Sequence, residues 1–297
     1  MAILKKELPD ITFVIHNRVG GVAYMNHQII EHGNFAAHFN VHIILFKKKE
    51  DDATEFTEKF VACRLEEFNY SQYDNYYLVL KRLNKIINKT KGIIVVNDGI
   101  ELHAIKLFGT NSLVYSIVHD FYNLKLAFAY YNYVDVFICH TETYWRALKS
   151  AGTAHPHIEY LPHGVKITDP VDLETVKTNE PLKIVFIGRL VSSKGVESLY
   201  KIEKKLKQKQ INVEWKIIGS GELENFLKDE WKDSTNISFF KPVSNHETIE
   251  IAKQCDIFIS PSVFEGYGIA LLEAMACGHV PIIYDLPVGI ASLLPAD

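Results

Sequence analysis

The stretch from Ser260 to Gly278 contains two glutamates, Glu265 and Glu273, and three glycines. Gly266 and Gly268 directly follow Glu265, and because glycine lacks a Cβ atom, a ligand can approach the backbone closely there. Residues 269–277 are rich in helix-forming residues, and the free N–H groups at a helix start attract anions, usually phosphate. Carboxylates accept hydrogen bonds from hydroxyl groups. Glu265 and Glu273 around this loop therefore suit a ligand with both phosphate and hydroxyl groups, such as a sugar nucleotide.

Apolar runs on both sides must position this loop. Residues 256–259 and 280–284 have the length and β-branched content of buried strands, and Gly278 occupies a helix C-cap position. The predicted unit is strand, glycine-rich loop, helix, strand. The residues alone also allow a second interpretation, in which Glu265 is a solvated loop residue and Glu273 a buried salt-bridge partner.

A basic pair follows another predicted strand, at residues 182–187. Gly188, Arg189 and Lys194 lie in the loop between this strand and a helix that we expect to end near residue 209. Arginine through its planar fork and lysine as a point charge could hold a diphosphate. The alternative is ordinary surface charge.

Further strands are predicted at residues 213–218 and 237–240, with helices at 223–231 and 247–254. Four strands of this half thus end in glycine or polar residues, at positions 188, 219, 241 and 260. The carboxyl ends of parallel strands share one edge of a sheet, where open α/β folds bind ligands. We expect Gly219 at this edge, and backbone recognition of a base near residues 241–243, which include Val243.

The first half repeats the alternation of strands and helices. A strand at 11–15 precedes Gly20 and Gly21, which are either a ligand-binding loop or a simple turn before a helix at 23–32. A strand at 112–118 ends at His119, which either faces a ligand cleft or donates to backbone. The remaining predictions are strands at 41–46, 92–97 and 134–140, helices at 73–88, 101–108 and 142–150, and a solvated loop at 47–58.

Composition limits the class of protein. The chain has 47% hydrophobic and 23% charged residues and a net charge of −4, so strong attraction to nucleic acid is not indicated. The four cysteines lack metal-ligand or redox spacing, which is typical of a reducing compartment. We expect an α/β protein of two domains, residues 1–170 and 171–297, joined by a polar linker over 166–181.

Taken together, these motifs resemble family 4 of the retaining glycosyltransferases. The resemblance rests on Gly188-Arg189-Leu190 with Lys194-Gly195, on Gly219-Ser220-Gly221, and on the run from Pro261 through Glu265 and Glu273 to Gly278. Glu265 and Glu273 fit the family's pair of glutamates. Gly20-Gly21, His119-Asp120 and Pro162-His163-Gly164 are similar to its landmarks in the first domain.

The resemblance implies the GT-B fold, two Rossmann-like domains facing a central cleft, here with an incomplete C-terminal domain. It implies transfer of a sugar, with retained configuration, from a nucleotide-diphosphate sugar such as a UDP- or GDP-sugar to a hydroxyl of a glycan, lipid-linked or small-molecule acceptor. We expect no metal and no further cofactor. We also expect a cytoplasmic protein, and contact with the inner face of the membrane and homo-oligomer formation stay open.

The resemblance also implies roles for individual residues. Arg189 and Lys194 would hold the diphosphate, Glu265 the transferred sugar and Glu273 the ribose, while His119 would line the reaction centre. The donor-binding set would be completed by glycines and backbone groups of the loops: Gly20, Gly21, Gly188, Gly219, Val243, Gly266, Tyr267 and Gly268. Two other functions stay open, an inactive accessory subunit of a partner glycosyltransferase and a nucleotide-sugar epimerase.

Overall fold

The chain divides into two units, residues 1–163 and 164–297. The structure is a computed structural model that describes residues 8–51, 55–56, 58–151, 157–165, 181–286 and 289. The predicted domain boundary at residue 170 and most of the predicted linker lie outside the described residues, and both stay predictions. The predicted incompleteness of the second domain also stays a prediction. Each unit is described by itself below.

The first unit is built on a sheet of seven parallel strands in the order β3-β2-β1-β4-β5-β6-β7. Buried aliphatic and aromatic side chains from the central strands form its core, as expected for a parallel sheet covered on both faces. The strands are β1 Asp10–His16, β2 Asn40–Lys48, β3 Arg64–Tyr70, β4 Gly92–Val96, β5 Leu113–Val118, β6 Val136–Cys139 and β7 Ile158–Tyr160.

Side-chain caps start four of the five α-helices that the structure describes in this unit. Asn75, Asp98, Asp120 and Thr141 each accept a hydrogen bond from a backbone N–H of the first turn. The helices are α1 Gly21–His32, α2 Tyr76–Ile87, α3 Gly99–Phe108, α4 Phe121–Ala129 and α5 Glu142–Ser150.

Three of the described strands and helices in the first unit were not predicted from the sequence: β3, β7 and α4. Strand β3 was not predicted, and the loop prediction for 47–58 is wrong at its start because β2 continues to Lys48 by pairing with β3. Helix α4 was also not predicted, and α1 begins at Gly21 rather than at residue 23. Helix α1 follows β1 and helix α4 follows β5, so both helices begin at the carboxyl edge of the sheet.

The second unit holds five parallel strands in the order β10-β9-β8-β11-β12. The strands predicted at 182–187, 213–218 and 237–240 are confirmed with the same bounds. The elements are β8 Leu182–Ile187, α6 Glu197–Gln208, β9 Val213–Ile218, α7 Glu224–Glu230, β10 Ile237–Phe240, α8 Asn245–Ala252, β11 Ile257–Ser260, α9 Ile269–Ala276 and β12 Val280–Ile283.

A buried carboxylate ties α6 to the sheet of the second unit. Glu203 is completely buried, and its two oxygens accept from Trp215 Nε1 at 2.7 Å and Asn236 Nδ2 at 2.9 Å. Lys207 Nζ lies 3.0 Å from the same carboxylate and supplies the balancing charge. The carboxylate is therefore paired and hydrogen-bonded, as burial of a charge requires. This arrangement fixes the helix that follows the predicted basic loop.

Helix α9 ends as its sequence indicates. Gly278 has φ +82°, and its N–H donates to the Met275 carbonyl while the His279 N–H donates to the Ala274 carbonyl. These two bonds form a Schellman motif, which favours glycine at this left-handed position. Among the helices that the structure describes, none has the length and apolar character that crossing a bilayer requires.

Candidate functional site

Lys194 and Glu265, separated by 71 residues in sequence, form an ion pair at the carboxyl edge of the second sheet. Lys194 Nζ lies 2.7 Å from Glu265 Oε1, and the two side chains are 20% and 22% exposed. Ser262 Oγ donates to the same carboxylate oxygen at 2.8 Å. The interpretation of Glu265 as a solvated loop residue is therefore wrong. The pair is partly shielded from water but still open to a ligand.

Gly195 allows the loop after β8 to contact the loop after β11. Its φ is +64°, and a Cβ atom there would lie 1.8 Å from the Pro261 carbonyl oxygen. The N–H of Val263 donates to the Ser193 carbonyl at 3.2 Å, beside this contact. Only glycine permits this approach, and the approach brings Lys194 to Glu265.

Gly188 and Gly219 extend this edge toward β9 and β10. The Gly188 N–H donates to Ile218, and the Gly219 N–H donates to Phe240, both at 3.0 Å. A Cβ atom on Gly219 would lie 1.9 Å from the Gly188 carbonyl oxygen. The structure thus brings together the predicted glycines at the ends of β8 and β9, and Val243 follows β10 at the same edge.

Arg189 is exposed directly after Gly188. No ion pair of its guanidinium occurs with any residue that the structure describes, whereas Lys194 is paired with Glu265. The two cations therefore differ in their surroundings. The donor-binding roles predicted for both residues stay predictions.

The Gly266–Gly268 loop leads into the start of α9. Tyr267 is buried, and Gly268 adopts a left-handed conformation with φ +89° at the N-cap position. No side chain of a described residue caps this helix. Its first N–H groups and its dipole therefore favour an anion at this end. The predicted anion-binding loop directly follows Glu265 in the loop after β11, and Lys194 reaches this glutamate from the loop after β8.

Glu273 lies on α9, half-buried, and binds Asn245 at the start of α8. Asn245 Nδ2 donates to Glu273 Oε1 at 2.7 Å. Burial raises the pKa of Glu273 to about 7, and the Asn245 hydrogen bond partly opposes that rise. The partner shown for this carboxylate is an amide rather than the cation of a salt bridge. Glu273 therefore changes its protonation near neutral pH.

His119 lies at the carboxyl end of β5 in the first unit and is 7% exposed. Its Nε2 lies 2.7 Å from Asn97 Oδ1, so its partner is a side chain and not the backbone. Burial, followed by the neighbouring His140 and His163, holds the pKa of His119 well below its usual value. The ring is therefore neutral at physiological pH and presents a polar, uncharged surface.

Gly20 precedes α1, and Gly21 is the first residue of this helix. Gly20 has an extended backbone that any residue can adopt, and a Cβ atom built there would meet nothing within 4 Å. Neither backbone conformation nor protein packing thus requires glycine at position 20. Open space at a helix start is compatible with a bound ligand, so the predicted role of this glycine stays a prediction.

Several polar residues at these edges were not named as site residues from the sequence: Asn97, Asn245, Ser262 and the pair His16–Asp98. His16 Nε2 lies 2.7 Å from Asp98 Oδ2, at the ends of β1 and β4. A signal existed for Asn245, because Ser244 and Glu247 form a capping box. That motif places the start of α8 at residue 245 rather than at the predicted 247, and so places Asn245 at the sheet edge.

The edge of the second unit combines three chemical capacities. Arg189, Lys194 and the start of α9 attract negative charge, Glu265 and Glu273 accept hydrogen bonds from hydroxyl groups, and the glycines give a ligand access to backbone. These capacities of the second unit match the phosphates and hydroxyls of a sugar nucleotide.

The chain contains two α/β units, each built on a parallel sheet. This is the GT-B class of glycosyltransferase folds. HepE of Anabaena, solved in complex with UDP and glucose, shares this fold with a TM-score of 0.70 at 14% identity, over 96% of this chain and 83% of that one. Residues 172–294 match the model of the family Glycosyl transferases group 1.

Two curated relatives agree with this assignment. The chain is 32% identical over 168 residues to a GDP-mannose-dependent phosphatidylinositol monomannoside mannosyltransferase of Corynebacterium glutamicum, over 50% of this chain and 44% of that protein. It is 32% identical over 128 residues to the putative colanic acid glycosyltransferase WcaL of Escherichia coli, over 39% of this chain and 31% of that protein. The matches thus span less than half the length of either relative.

Proposed function

We propose that this protein is a retaining glycosyltransferase that moves a sugar from a nucleoside-diphosphate sugar to a hydroxyl group of a glycan or lipid-linked acceptor. The Lys194–Glu265 ion pair supports the proposal, because it holds a cation that could bind phosphate beside a carboxylate that could accept from sugar hydroxyls. The family match over residues 172–294 supports the same class of reaction. The two curated relatives act in polysaccharide and glycolipid synthesis by their names, which favours acceptors of those kinds.

In this proposal the donor diphosphate binds between Arg189, Lys194 and the start of α9. Negative charge grows on the leaving phosphate as the bond to the sugar breaks, and these groups stabilise it. Because two side-chain cations and a helix terminus face this charge, the reaction needs neither a metal ion nor a further cofactor. Glu265 binds hydroxyls of the transferred sugar, and Glu273 binds the ribose hydroxyls.

Retention of configuration proceeds by front-face substitution in this proposal. The bond from the anomeric carbon to the phosphate oxygen breaks, and the acceptor oxygen bonds to the same face of that carbon. The acceptor proton passes to the leaving phosphate. Glu265 is held by Lys194 and Ser262, which suits hydroxyl recognition rather than nucleophilic attack. Isolation of a glycosyl adduct on Glu265 would contradict this mechanism.

Turnover of a panel of UDP- and GDP-sugars, with and without sugar and lipid-linked acceptors, tests the proposed function. We expect release of nucleotide that depends on an acceptor, and a decrease of about a hundredfold or more for Glu265→Gln. Glu250→Gln is the matched control, because Glu250 pairs with Lys253 on the surface of α8. Acceptor-independent release would indicate the epimerase alternative. Binding without turnover of any donor would indicate the accessory-subunit alternative.

Glu273 gives a prediction about pH. Its folded pKa of about 7 exceeds the ordinary value of 4.5, so the folded state binds the extra proton between these values. Stability of the second unit therefore decreases as pH rises from 4.5 to 7, and Glu273→Gln should raise the free energy of unfolding at pH 8 by about 2 kcal/mol. Nucleotide-sugar affinity should increase through pH 7 in the wild type, because the carboxylate is the stronger acceptor.

Unfolding followed by tryptophan fluorescence measures the stability effect, since Trp215 and Trp231 are both buried in the second unit. In Glu273→Gln we expect nucleotide-sugar binding to be weaker at pH 8 and to lose its dependence on pH near 7. Glu250→Gln should keep that dependence. A Glu273→Gln variant that is less stable than the wild type at pH 8 would contradict the prediction.

A further inference from the structure

The start of helix α8 is fixed by its own capping residues. The Ser244 side chain accepts from the Glu247 N–H at 3.2 Å, and the Glu247 carboxylate accepts from the Ser244 N–H at 3.1 Å. These two bonds form a capping box, which sets where the helix begins. Asn245 is the first residue of α8, so the position of its backbone does not depend on the contacts of its side chain.

Helices α8 and α9 are also joined away from Asn245. His279 is 6% exposed, and its two ring nitrogens each lie 2.8 Å from a carbonyl oxygen, one of Ala252 and one of Ala274. Ala252 is the last residue of α8, seven positions after Asn245, and this spacing places both on one side of the helix. The distance between Asn245 and Glu273 is therefore set by the two helices rather than by the two side chains.

The two oxygens of the Glu273 carboxylate have different surroundings. Oε1 accepts from Asn245 Nδ2 at 2.7 Å. Oε2 receives no hydrogen bond from a residue that the structure describes, and it is not one of the fully buried atoms that lack a partner. It therefore reaches the surface. Since a carboxylate oxygen only accepts, Oε2 is open to a hydroxyl or N–H donor of a ligand.

We propose that Asn245 is a positioning residue of the nucleoside site: its amide occupies Oε1 of Glu273 and leaves Oε2 as the acceptor for ribose hydroxyl groups. The nucleoside part of this inference rests on the proposed function, and the contact between the two side chains does not. The loop at 241–243, where recognition of the base is predicted, leads directly into Ser244 and Asn245. The amide thus links this loop to the carboxylate within the second unit.

The amide of Asn245 also favours the charged form of Glu273. Burial raises the pKa of Glu273 to about 7, the Asn245 hydrogen bond lowers it, and no charged side chain of the described residues adds to these two effects. Without the amide, the carboxyl group would keep its proton to higher pH. A carboxyl group that keeps its proton carries no negative charge and accepts hydrogen bonds more weakly. Asn245 therefore maintains the stronger acceptor near neutral pH.

NMR of the free protein tests the contact without a ligand. Carbon-detected spectra follow the side-chain carboxyl group of Glu273, and proton–nitrogen spectra follow the side-chain amide of Asn245. Glu273→Gln and Asn245→Asp identify the two signals, because each variant lacks one of them. We expect both signals to change with the same midpoint, near pH 7. An Asn245 amide signal that does not change with the titration of Glu273 would overturn the inference.

Nucleotides that lack one ribose hydroxyl test the role in binding. UDP and GDP, with their 2′-deoxy and 3′-deoxy forms, are titrated by calorimetry at pH 7 and pH 9. We expect the wild type to bind a ribonucleotide about tenfold more tightly than at least one of its deoxy forms. In Asn245→Ala this preference should decrease to about twofold at pH 7 and recover in part at pH 9, where the Glu273 carboxyl group ionises.

Asn225→Ala is the matched control, because it removes an exposed asparagine from α7 of the same unit. It should keep the full preference for ribose. Asn245→Asp is the conservative variant: two carboxyl groups at this separation share one proton, and that proton takes the place of the amide. We expect this variant to retain most of the preference at pH 7. A loss as large as in Asn245→Ala would overturn the inference.

A purely structural role of Asn245 predicts a different result. Asn245→Ala would then lower stability and keep the full preference for ribose, which would overturn the inference. If this variant does not fold, the wild-type spectra and Asn245→Asp remain decisive. If no nucleotide binds to the wild type, the proposed function fails together with the nucleoside part of the inference, and the spectra of the free protein still decide whether Asn245 holds Glu273.

Discussion

Lys194→Met should reduce the turnover number for glycosyl transfer by about 100- to 1,000-fold, with a smaller change in KM. The substitution removes a cation that stabilises charge on the leaving phosphate, an interaction that strengthens in the transition state. It also leaves the Glu265 carboxylate, 22% exposed, with Ser262 as its remaining described side-chain partner. Steady-state kinetics with the best donor from the nucleotide-sugar panel measure both parameters.

Lys253→Met is the matched control for this prediction. Lys253 pairs with Glu250 at 2.8 Å on the surface of α8, so the control removes one paired lysine from the same unit. We expect its kinetics to match those of the wild type. Lys194→Arg should recover part of the activity, because it restores the charge but not the geometry of the ammonium group. A Lys194→Met enzyme with turnover within a few-fold of the wild type would show that Lys194 serves only to hold Glu265.

Gly195→Ala should destabilise the second unit by more than about 3 kcal/mol. The new Cβ atom would lie 1.8 Å from the Pro261 carbonyl oxygen, and because that atom belongs to the backbone, the two loops must separate. The left-handed φ of +64° adds about 1 kcal/mol for a residue other than glycine. Denaturant unfolding followed by tryptophan fluorescence measures the change, and loss of transfer activity should accompany it.

Gly109→Ala separates the two contributions. Gly109 has φ +71° and ψ 171°, a backbone conformation almost restricted to glycine, but a Cβ atom there would meet nothing within 4 Å. This control should therefore show only a conformational cost, about 1–3 kcal/mol, in unfolding followed by circular dichroism. Equal destabilisation by both substitutions would indicate that the contact between Gly195 and Pro261 is not a source of stability.

The sequence predicted buried strands better than it predicted exposed elements. The strands Val213–Ile218 and Ile237–Phe240 match their predicted bounds, because a strand of a parallel sheet appears as a short apolar run. Strand β3, with sequence RLEEFNY, lies at the end of the sheet order and is mostly exposed, so it lacks that pattern. Helix α4 was missed because its aromatic residues have lower helix propensity than Ala or Leu.

The candidate site could be predicted only in part. Gly188, Gly219 and Glu265 were placed at one sheet edge by the rule for parallel strands, and the structure confirms that placement. The Lys194–Glu265 pair could not be derived, because it depends on a backbone contact at Gly195 between loops distant in sequence. The amide partner Asn97 was missed for a similar reason, since its side chain contacts residues distant in sequence. Asn245, in contrast, could have been placed at the sheet edge by the capping box that begins α8.

The backbone bonds that join the loops of the second unit have a thermodynamic consequence. Gly188 donates to Ile218 and Gly219 to Phe240, while Val263 donates to Ser193. The loops are therefore anchored to neighbouring strands and to one another before a ligand binds. Little conformational entropy is then lost when the ligand binds. Calorimetric titration of the protein with a nucleotide sugar should then show only a small unfavourable entropy of binding. Most of the specificity would come from enthalpic contacts with a surface that is already formed.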